Sequence, residues 1–324
     1  MKALICDAFG PYASHEVKEV AAPAMKPGHI RIGVKAAGVN FPDILIVEGK
    51  YQIKPEFPFS PGGECAGVVT EIGEGVEGFA LGDKVFYGSG YGAFAEEMVA
   101  PAQKVFHIPE GMSFEQASAI NLVYGTSYHA LKDRAALKPG ETLFVLGAAG
   151  GVGLAAVELG KAMGATVIAG ASTDEKLEVA KAHGADMGVN YAREDIKDAV
   201  RKLSGGGVDV VYDPVGDKLA EPSFRALGWE GRYLVVGFAG GEIPKLPLNL
   251  ALLKSADLRG VFWGQWIARN PEKHRANVAE FLQLFSDGKI RPRISASYPL
   301  ADFVKAYDDI AERRAMGKVV LTMG

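Results

Sequence analysis

The chain has 324 residues, 48% hydrophobic and 23% charged, with a formal net charge of −4. That length implies two domains, and the composition is that of an ordinary globular protein. The acidic balance offers no electrostatic handle for nucleic acid or an anionic membrane, and two cysteines with no signal-peptide pattern point to a reducing, cytoplasmic setting.

In chain order, Met1–Phe9 reads as a strand. Ile30, Ile32 and Val34 alternate with Arg31, Gly33 and Lys35, the pattern of a half-buried strand. Further strands are expected at Ala66–Ile72, Lys84–Tyr87 and Phe94–Ala100, separated by Gly and Pro clusters. This is an irregular, mostly β domain. Ser113-Phe114-Glu115-Gln116 is a capping box, so a helix starts there and runs towards Ile120. A second helix is expected over Thr126–Ala136, ended by Lys138-Pro139-Gly140 and connecting the two domains.

The next stretch is the most informative. Thr142–Leu146 is a short apolar run, followed by Gly147-Ala148-Ala149-Gly150-Gly151-Val152-Gly153 and then helical spacing through Leu154, Val157, Leu159 and Met163. Strand, glycine turn and helix form a dinucleotide-binding layout. Gly150 and Gly151 let backbone approach a pyrophosphate, and Gly153 lets the helix pack close to its strand. The anion would sit on the helix N-terminus. Ala148 stands where the usual pattern has its first glycine. The uncharged run Thr142–Val157 is too short and too glycine-rich for a membrane span.

Strand-like runs then start near Thr166, Met187, Val208, Arg232 and Leu258. Helical patterns lie between them: Glu175–His183 closed by Gly184, Arg193–Leu203 closed by Gly205, and Lys218–Leu227 closed by Gly228. This alternation predicts a doubly wound, parallel, six-stranded sheet. Pro271–Ser286 reads as a helix with Val278, Phe281, Leu282 and Phe285 on one face. The tail carries a helix, Leu300–Arg314, and a strand, Lys318–Met323. The expected division is 1–121 together with 268–324, and 122–267.

Several stretches carry a resemblance: Ala36-Ala37-Gly38-Val39-Asn40-Phe41-Pro42-Asp43, Gly49-Lys50-Tyr51, Pro61-Gly62-Gly63-Glu64 with Gly67, and Gly82-Asp83-Lys84-Val85. To these add Ala148–Gly153, Asn190-Tyr191 and Gly317-Lys318-Val319-Val320-Leu321. Over its whole length the chain resembles the medium-chain dehydrogenase/reductase superfamily, on the zinc-free quinone oxidoreductase branch that includes zeta-crystallin. The resemblance implies an α/β fold, a Rossmann domain plus a GroES-like, mostly β catalytic domain. It also implies an active site in the cleft between them, and a homodimer formed by edge strands of the Rossmann sheets.

The metal-ligand positions of the zinc alcohol dehydrogenases correspond here to Asn40, Gly63 and Asn121, none a good zinc ligand. The six histidines are scattered without ligand spacing, and Cys65 reads as a small buried hydrophobe. No metal is therefore expected. Without a Lewis acid to polarise a simple ketone, the acceptor must be activated by its own conjugation. Quinones, enones and enals meet that requirement.

The candidate catalytic residues are Asn40, whose amide is placed to bond an acceptor oxygen or the cofactor ribose, Tyr51 as a proton donor, and Asp43 as an orienting group. Tyr124 and Thr126 begin the interdomain helix, and the resemblance puts Thr126 on the nicotinamide side. Phe238, after the fifth sheet strand, and Phe262-Trp263, in the sixth, are candidate walls of the nicotinamide pocket.

NADPH is the expected cofactor. The second sheet strand ends Ile168-Ala169-Gly170-Ala171-Ser172-Thr173, with Ala171 where an NAD enzyme places an acid. Ser172 and Lys176 are then available to a 2′-phosphate, and the resemblance adds Tyr191. The leading function is an NADPH-dependent reductase of quinones or similar conjugated carbonyls. The alternatives are reduction of an enone C=C bond, or a non-enzymatic, crystallin-like structural or RNA-binding role, against which the lack of a basic stripe counts.

Overall fold

The computed structural model describes residues 1–88 and 90–324. Two compact units emerge: Met1–Leu122 with Pro292–Gly324 (unit 1), and Val123–Arg291 (unit 2). Unit 1 opens with β1 (Lys2–Ile5), β2 (Glu16–Glu19), β3 (His29–Val39), helix α1 (Phe41–Val47), β4 (Glu64–Ile72), β5 (Lys84–Gly88), β6 (Glu97–Pro101), β7 (Val105–His107) and helix α2 (Phe114–Ser118). Helix α3 (Asn121–Tyr128) carries the chain into unit 2. There follow β8 (Thr142–Leu146), α4 (Gly151–Ala162), β9 (Thr166–Ala171), α5 (Asp174–Ala182), β10 (Met187–Asn190), α6 (Ile196–Leu203), β11 (Val208–Asp213) and α7 (Ala220–Arg225). Unit 2 ends with β12 (Leu227–Val235), α8 (Asn249–Lys254), β13 (Asp257–Gly260), α9 (Trp263–Arg269) and α10 (Pro271–Ser286). Unit 1 resumes with β14 (Ile294–Pro299), α11 (Phe303–Ala311) and β15 (Lys318–Thr322).

Unit 1 is mostly β. Its main sheet runs β14-β15-β3-β4-β5-β7, with β6 also paired to β3, and β1-β2 form a separate ribbon. All of the main-sheet pairings are antiparallel except β14 with β15. The alternation over 30–34 does what it predicts: Ile30, Ile32 and Val34 are buried in the unit 1 core with Leu4, Phe94 and Tyr307. The capping box forms too, Ser113 Oγ accepting from Gln116 N at 3.2 Å and Gln116 Oε1 from Ser113 N at 3.3 Å.

Unit 2 holds a six-stranded sheet of order β10-β9-β8-β11-β12-β13, every pairing parallel. The strand order reverses between β8 and β11, and ligands of such sheets bind at the carboxyl ends there. Leu143, Phe144, Val145 and Leu146 are all fully buried, because helices cover both faces of a parallel sheet. No helix among the described residues is long and apolar enough to cross a membrane.

Several expectations need correction. The return to unit 1 comes at Pro292, not at 268. Helix α10 stays with unit 2 because Val278 and Phe281 are fully buried there, with the Phe281 ring 6.5 Å from Tyr124 and 6.1 Å from Tyr128. The helix expected from Thr126 starts at Asn121 and continues as a π-helical segment over His129–Ala135. The helix expected to run to Leu227 stops at Arg225, since Leu227 is a fully buried strand residue opposite Val208. Phe262 and Trp263 are not in the sixth strand: β13 stops at Gly260 and Phe262 caps α9. Helix α1 and strand β14 had no expectation at all.

Candidate active site

The glycine turn follows β8. Leu154 N makes a 2.8 Å bond to Gly150 O. The amides before it, at Gly151, Val152 and Gly153, are those that a helix start leaves over, and the dipole makes them an anion site. Gly153 is required by contact rather than by conformation. A Cβ there would stand 2.2 Å from Gly147 O. Ala148 is buried, and its N–H bonds Gly170 O at 3.0 Å, which locks the turn to β9. A cradle this short of side chains fits a pyrophosphate.

Thr126 is next in the chain to the residue that touches the helix start there. That residue, Ser127, donates to Val152 O at 2.9 Å and is 2.8 Å from the Tyr212 hydroxyl. Helix α3 is therefore tied to the first turn of α4. Tyr124 is no wall of an open site. It is buried, and its hydroxyl donates to Glu158 at 2.6 Å. Phe238 and Phe262 are exposed on loops beyond β12 and β13. Trp263 instead packs its ring where a Cβ on Gly125 would be, 2.6 Å away.

The tip of β9 has the expected composition. Ala171 ends the strand, Tyr191 N bonds Ala171 O at 3.0 Å, and Thr173 caps α5 by accepting from Lys176 N at 3.3 Å. Ser172, Lys176 and Tyr191 thus flank one strand end. The first acid, Asp174, opens α5. The Asn190 amide, at 2.9 Å, and then the Arg193 guanidinium, at 2.6 Å, hold its carboxyl below the usual range. Arg193 is the charge that sequence reasoning passed over, two residues after Tyr191.

Unit 1 contributes a second constellation. A Cβ on Gly63 would stand 3.6 Å from Asp43 Oδ1, and one on Gly88 would stand 3.7 Å from Gly63 O and 2.2 Å from Asn121 Nδ2. Asn40 (by way of Asp43), Gly63 and Asn121 are therefore neighbours. Asn40 is committed on both ends of its amide. Lys318 Nζ donates to Asn40 Oδ1 at 2.5 Å, while Asn40 Nδ2 donates to Glu64 Oε1 at 3.0 Å and to Gly38 O at 3.3 Å. Both ends of the amide expected to meet an acceptor oxygen or the cofactor ribose are thus engaged within unit 1. Asn121 Oδ1, by contrast, is buried without a hydrogen-bond partner.

Two charges anchor this set. Lys318 Nζ also meets Glu64 Oε1 at 2.8 Å and Val39 O at 3.2 Å, and Glu64 Oε2 accepts Leu122 N at 2.9 Å. The two side chains are 5% and 1% exposed, so the pair is sealed from water. One ammonium and one carboxylate thus join the ends of β3, β4 and β15 to the start of α3. Sequence reasoning quoted both residues within motifs and gave neither a role. The readable signal was a charge at the start of an apolar strand.

Asp43 is buried, accepts Asn40 N at 2.8 Å, and burial pushes its carboxyl up to about 7. Tyr51 packs beside Cys6, Ile46, Val47 and Phe59. Burial, and then the charge of Asp43, raise its phenol above the ordinary value, so it keeps its proton at neutral pH. Cys6 and Cys65 are both buried, with thiols pushed up to about 12 by burial. Neither is a thiolate nucleophile. No group of three or more His, Cys, Asp or Glu that could hold a metal stands among the described residues.

Comparison with known proteins agrees with both halves. Residues 26–110 match the alcohol dehydrogenase GroES-like domain, and residues 151–286 match the family described as zinc-binding dehydrogenase. The chain is 39% identical over 323 residues to the quinone oxidoreductase-like protein 2 homolog of Nematostella vectensis, covering 99% of this chain and 88% of that one. The Escherichia coli quinone oxidoreductase, solved with NADPH, aligns with a TM-score of 0.91 at 30% identity, covering 99% of this chain and all (100%) of that one. A mycobacterial protein, also solved with NADPH, aligns with a TM-score of 0.92 at 31% identity, with coverage of 99% and 100%. The chain belongs to the medium-chain dehydrogenase/reductase superfamily, on its zinc-free, quinone oxidoreductase-like branch.

Proposed function

We propose that this protein is an NADPH-dependent reductase of quinones or similar conjugated carbonyls that works without a metal. The observation that carries the reading is the donor set around Gly63. Where the alcohol enzymes of the superfamily place cysteine and histidine, this chain places Asn40, Gly63 and Asn121, with Asn40 locked to Lys318 and Glu64. Such a set has no soft or imidazole ligand for zinc.

Bound NADPH would supply the hydride. The chain's own groups hold and orient. Amides of Gly151, Val152 and Gly153, after Ala148 and Gly150, take the pyrophosphate, while Ser172, Lys176 and Tyr191 beyond Gly170 take the 2′-phosphate. Thr126, Phe238 and Phe262 serve the nicotinamide end. The NADPH-bound relatives support this assignment. On the acceptor side, Tyr51 donates to the developing oxyanion, and Asp43 and Asn40 are positioning residues. Orientation in a site that excludes water then supplies most of the rate.

The test is NADPH consumption with a small quinone, an enone and a primary alcohol, in enzyme exposed to a strong chelator. The quinone should turn over fastest and the chelator should change nothing. Loss of activity together with about one zinc per chain would sink the proposal. Tyr51→Phe separates the two reductase readings. It should cost on the order of 10²-fold for an enone, whose carbon needs a delivered proton, and less for a quinone.

The same reading includes a homodimer. Strand β13 lies at one edge of the unit 2 sheet, and Leu258 on it is exposed, as are Leu248, Leu252 and Leu253 just before it in the chain. Antiparallel pairing of two copies about Leu258 sets Asp257 of each strand opposite Arg259 of the other. Light scattering should give a dimer that Leu258→Glu dissociates; a monomeric wild type would refute it.

A further inference from the structure

Unit 1 contains a cavity of about 510 Å³ lined by Ile53, Pro55, Phe59 and Tyr91, with Lys54 and Glu56 at its charged side. That volume falls in the range of small-molecule sites, ~300–1,000 Å³. Its surroundings are unusually aromatic. Phe57 lies 4.6 Å from Phe9 and 5.7 Å from Phe59, and Phe59 lies 6.0 Å from Tyr91, centroid to centroid. Ile53, Phe57 and Tyr91 are 42%, 42% and 44% exposed. Exposed apolar surface gathered round a cavity marks a binding surface.

The cavity also borders the constellation described above, along two routes. Phe59 packs in the same small cluster as Tyr51, whose phenol feels the charge of Asp43. Ile53 Cδ1 would lie 3.7 Å from a Cβ on Gly90, whose carbonyl oxygen is 3.8 Å from the Cβ position of Gly63. Both routes lead from the cavity wall to the Asp43–Gly63 pair within one or two side chains.

We propose that this cavity is the subsite for the non-reacting part of the acceptor, and that it selects acceptors carrying a second ring or an alkyl chain. The proposal rests on the reductase reading. A flat ring in the cavity would meet faces and edges of Phe59 and Tyr91, an arrangement aromatic pairs favour. An alkyl chain would lie against Ile53. Lys54, Glu56 and Ser60 make much of the remaining lining polar, so discrimination between bare and substituted acceptors falls to Ile53, Phe59 and Tyr91.

The experiment compares two acceptors with the same quinone ring, one bare and one with a decyl chain. Ile53→Ala and Tyr91→Ala alter exposed residues of the lining, so folding should survive. The ratio of kcat/KM for the decyl to the bare quinone should fall about 10-fold or more in each variant, through KM rather than kcat. In parallel, binding of 1-naphthol to the protein without NADPH, read by its own fluorescence, should weaken about 10-fold in Ile53→Ala. If quinones are reduced but neither the ratio nor naphthol binding changes in the variants, the subsite is wrong. If no quinone is reduced while naphthol binds and Ile53→Ala weakens it, the cavity stands and the reductase reading falls. If 1-naphthol does not bind wild type and the decyl group brings no gain in KM, the cavity is no subsite.

Discussion

The nucleotide turn of unit 2 and the Asn40–Glu64–Lys318 network of unit 1 are built in opposite ways. Gly147–Gly153 is one contiguous run whose shape follows from its own backbone, so a Cβ on Gly153 would strike an atom six residues earlier. The network draws on β3, β4, α3 and β15, and its defining contact spans positions 64 and 318. Glycine turns of this kind tolerate variation elsewhere in the fold. A network of buried charges depends on four separate segments arriving together. Where the chain presents a cradle for an anion, local geometry suffices; around Asn40 and Glu64 it needs long-range order.

The largest expected effect sharpens that contrast. Lys318→Met leaves Glu64 buried and uncompensated, which should cost about 3–5 kcal/mol in urea unfolding. Adding Glu64→Gln removes the stranded charge and should restore part of the loss. A Lys318→Met protein within about 0.5 kcal/mol of wild type, the scatter of ordinary surface substitutions, would show that the pair is not a keystone of unit 1.

On the other side of the comparison, Lys176→Ala removes the ammonium proposed to meet the 2′-phosphate. A hydrogen bond to a charged group contributes about 1.5–3 kcal/mol. The Michaelis constant for NADPH should therefore rise roughly 10- to 150-fold, at about 1.4 kcal/mol per decade, and that for NADH should barely move. Stability should change far less than in Lys318→Met, by no more than the ~1 kcal/mol of a surface contact. Equal weakening of both cofactors would place the 2′-phosphate elsewhere.

A third test of the comparison reads pH dependence. The Asp43 carboxyl is raised from 3.8 to about 7, mainly by burial. Below about pH 4 it is protonated both folded and unfolded, and nothing is lost. As pH rises towards 7 the unfolded chain ionises first, so the fold is progressively penalised. Above 7 the penalty is complete, at about 1.4 kcal/mol for each pH unit that separates the folded and unfolded midpoints. Asp43→Asn keeps an acceptor for Asn40 N and removes the charge. Its melting temperature relative to wild type should climb between pH 4 and 7 and then level off. A gap that does not change with pH would show that Asp43 exacts no such penalty.

Legibility followed the same divide. The six parallel strands, the helix starts at Gly151 and Asp174, and the Ala171 strand tip were readable because each is encoded by periodicity and turn chemistry over ten residues or fewer. Helix α1 breaks that pattern: Asn40 and Asp43 form a capping box with a proline in the first turn, a local signal like that of Ser113 and Gln116, which was passed over because the apolar run Phe41–Val47 is too short to show helical spacing. Trp263 was misread as strand because apolar residues after β13 look like more strand until the ring is seen packed on Gly125.

By itself the sequence determined the glycine turn and the doubly wound sheet, because these are matters of residue type and short-range backbone geometry. Only the tertiary structure decided that Asn40 is already bonded at both ends, that Lys318 reaches Glu64, and that Pro271–Ser286 belongs to unit 2. Those outcomes depend on which distant segments share a buried space. There the cost of an unpaired polar group or an unfilled apolar face selects the partner, and no local pattern records that choice.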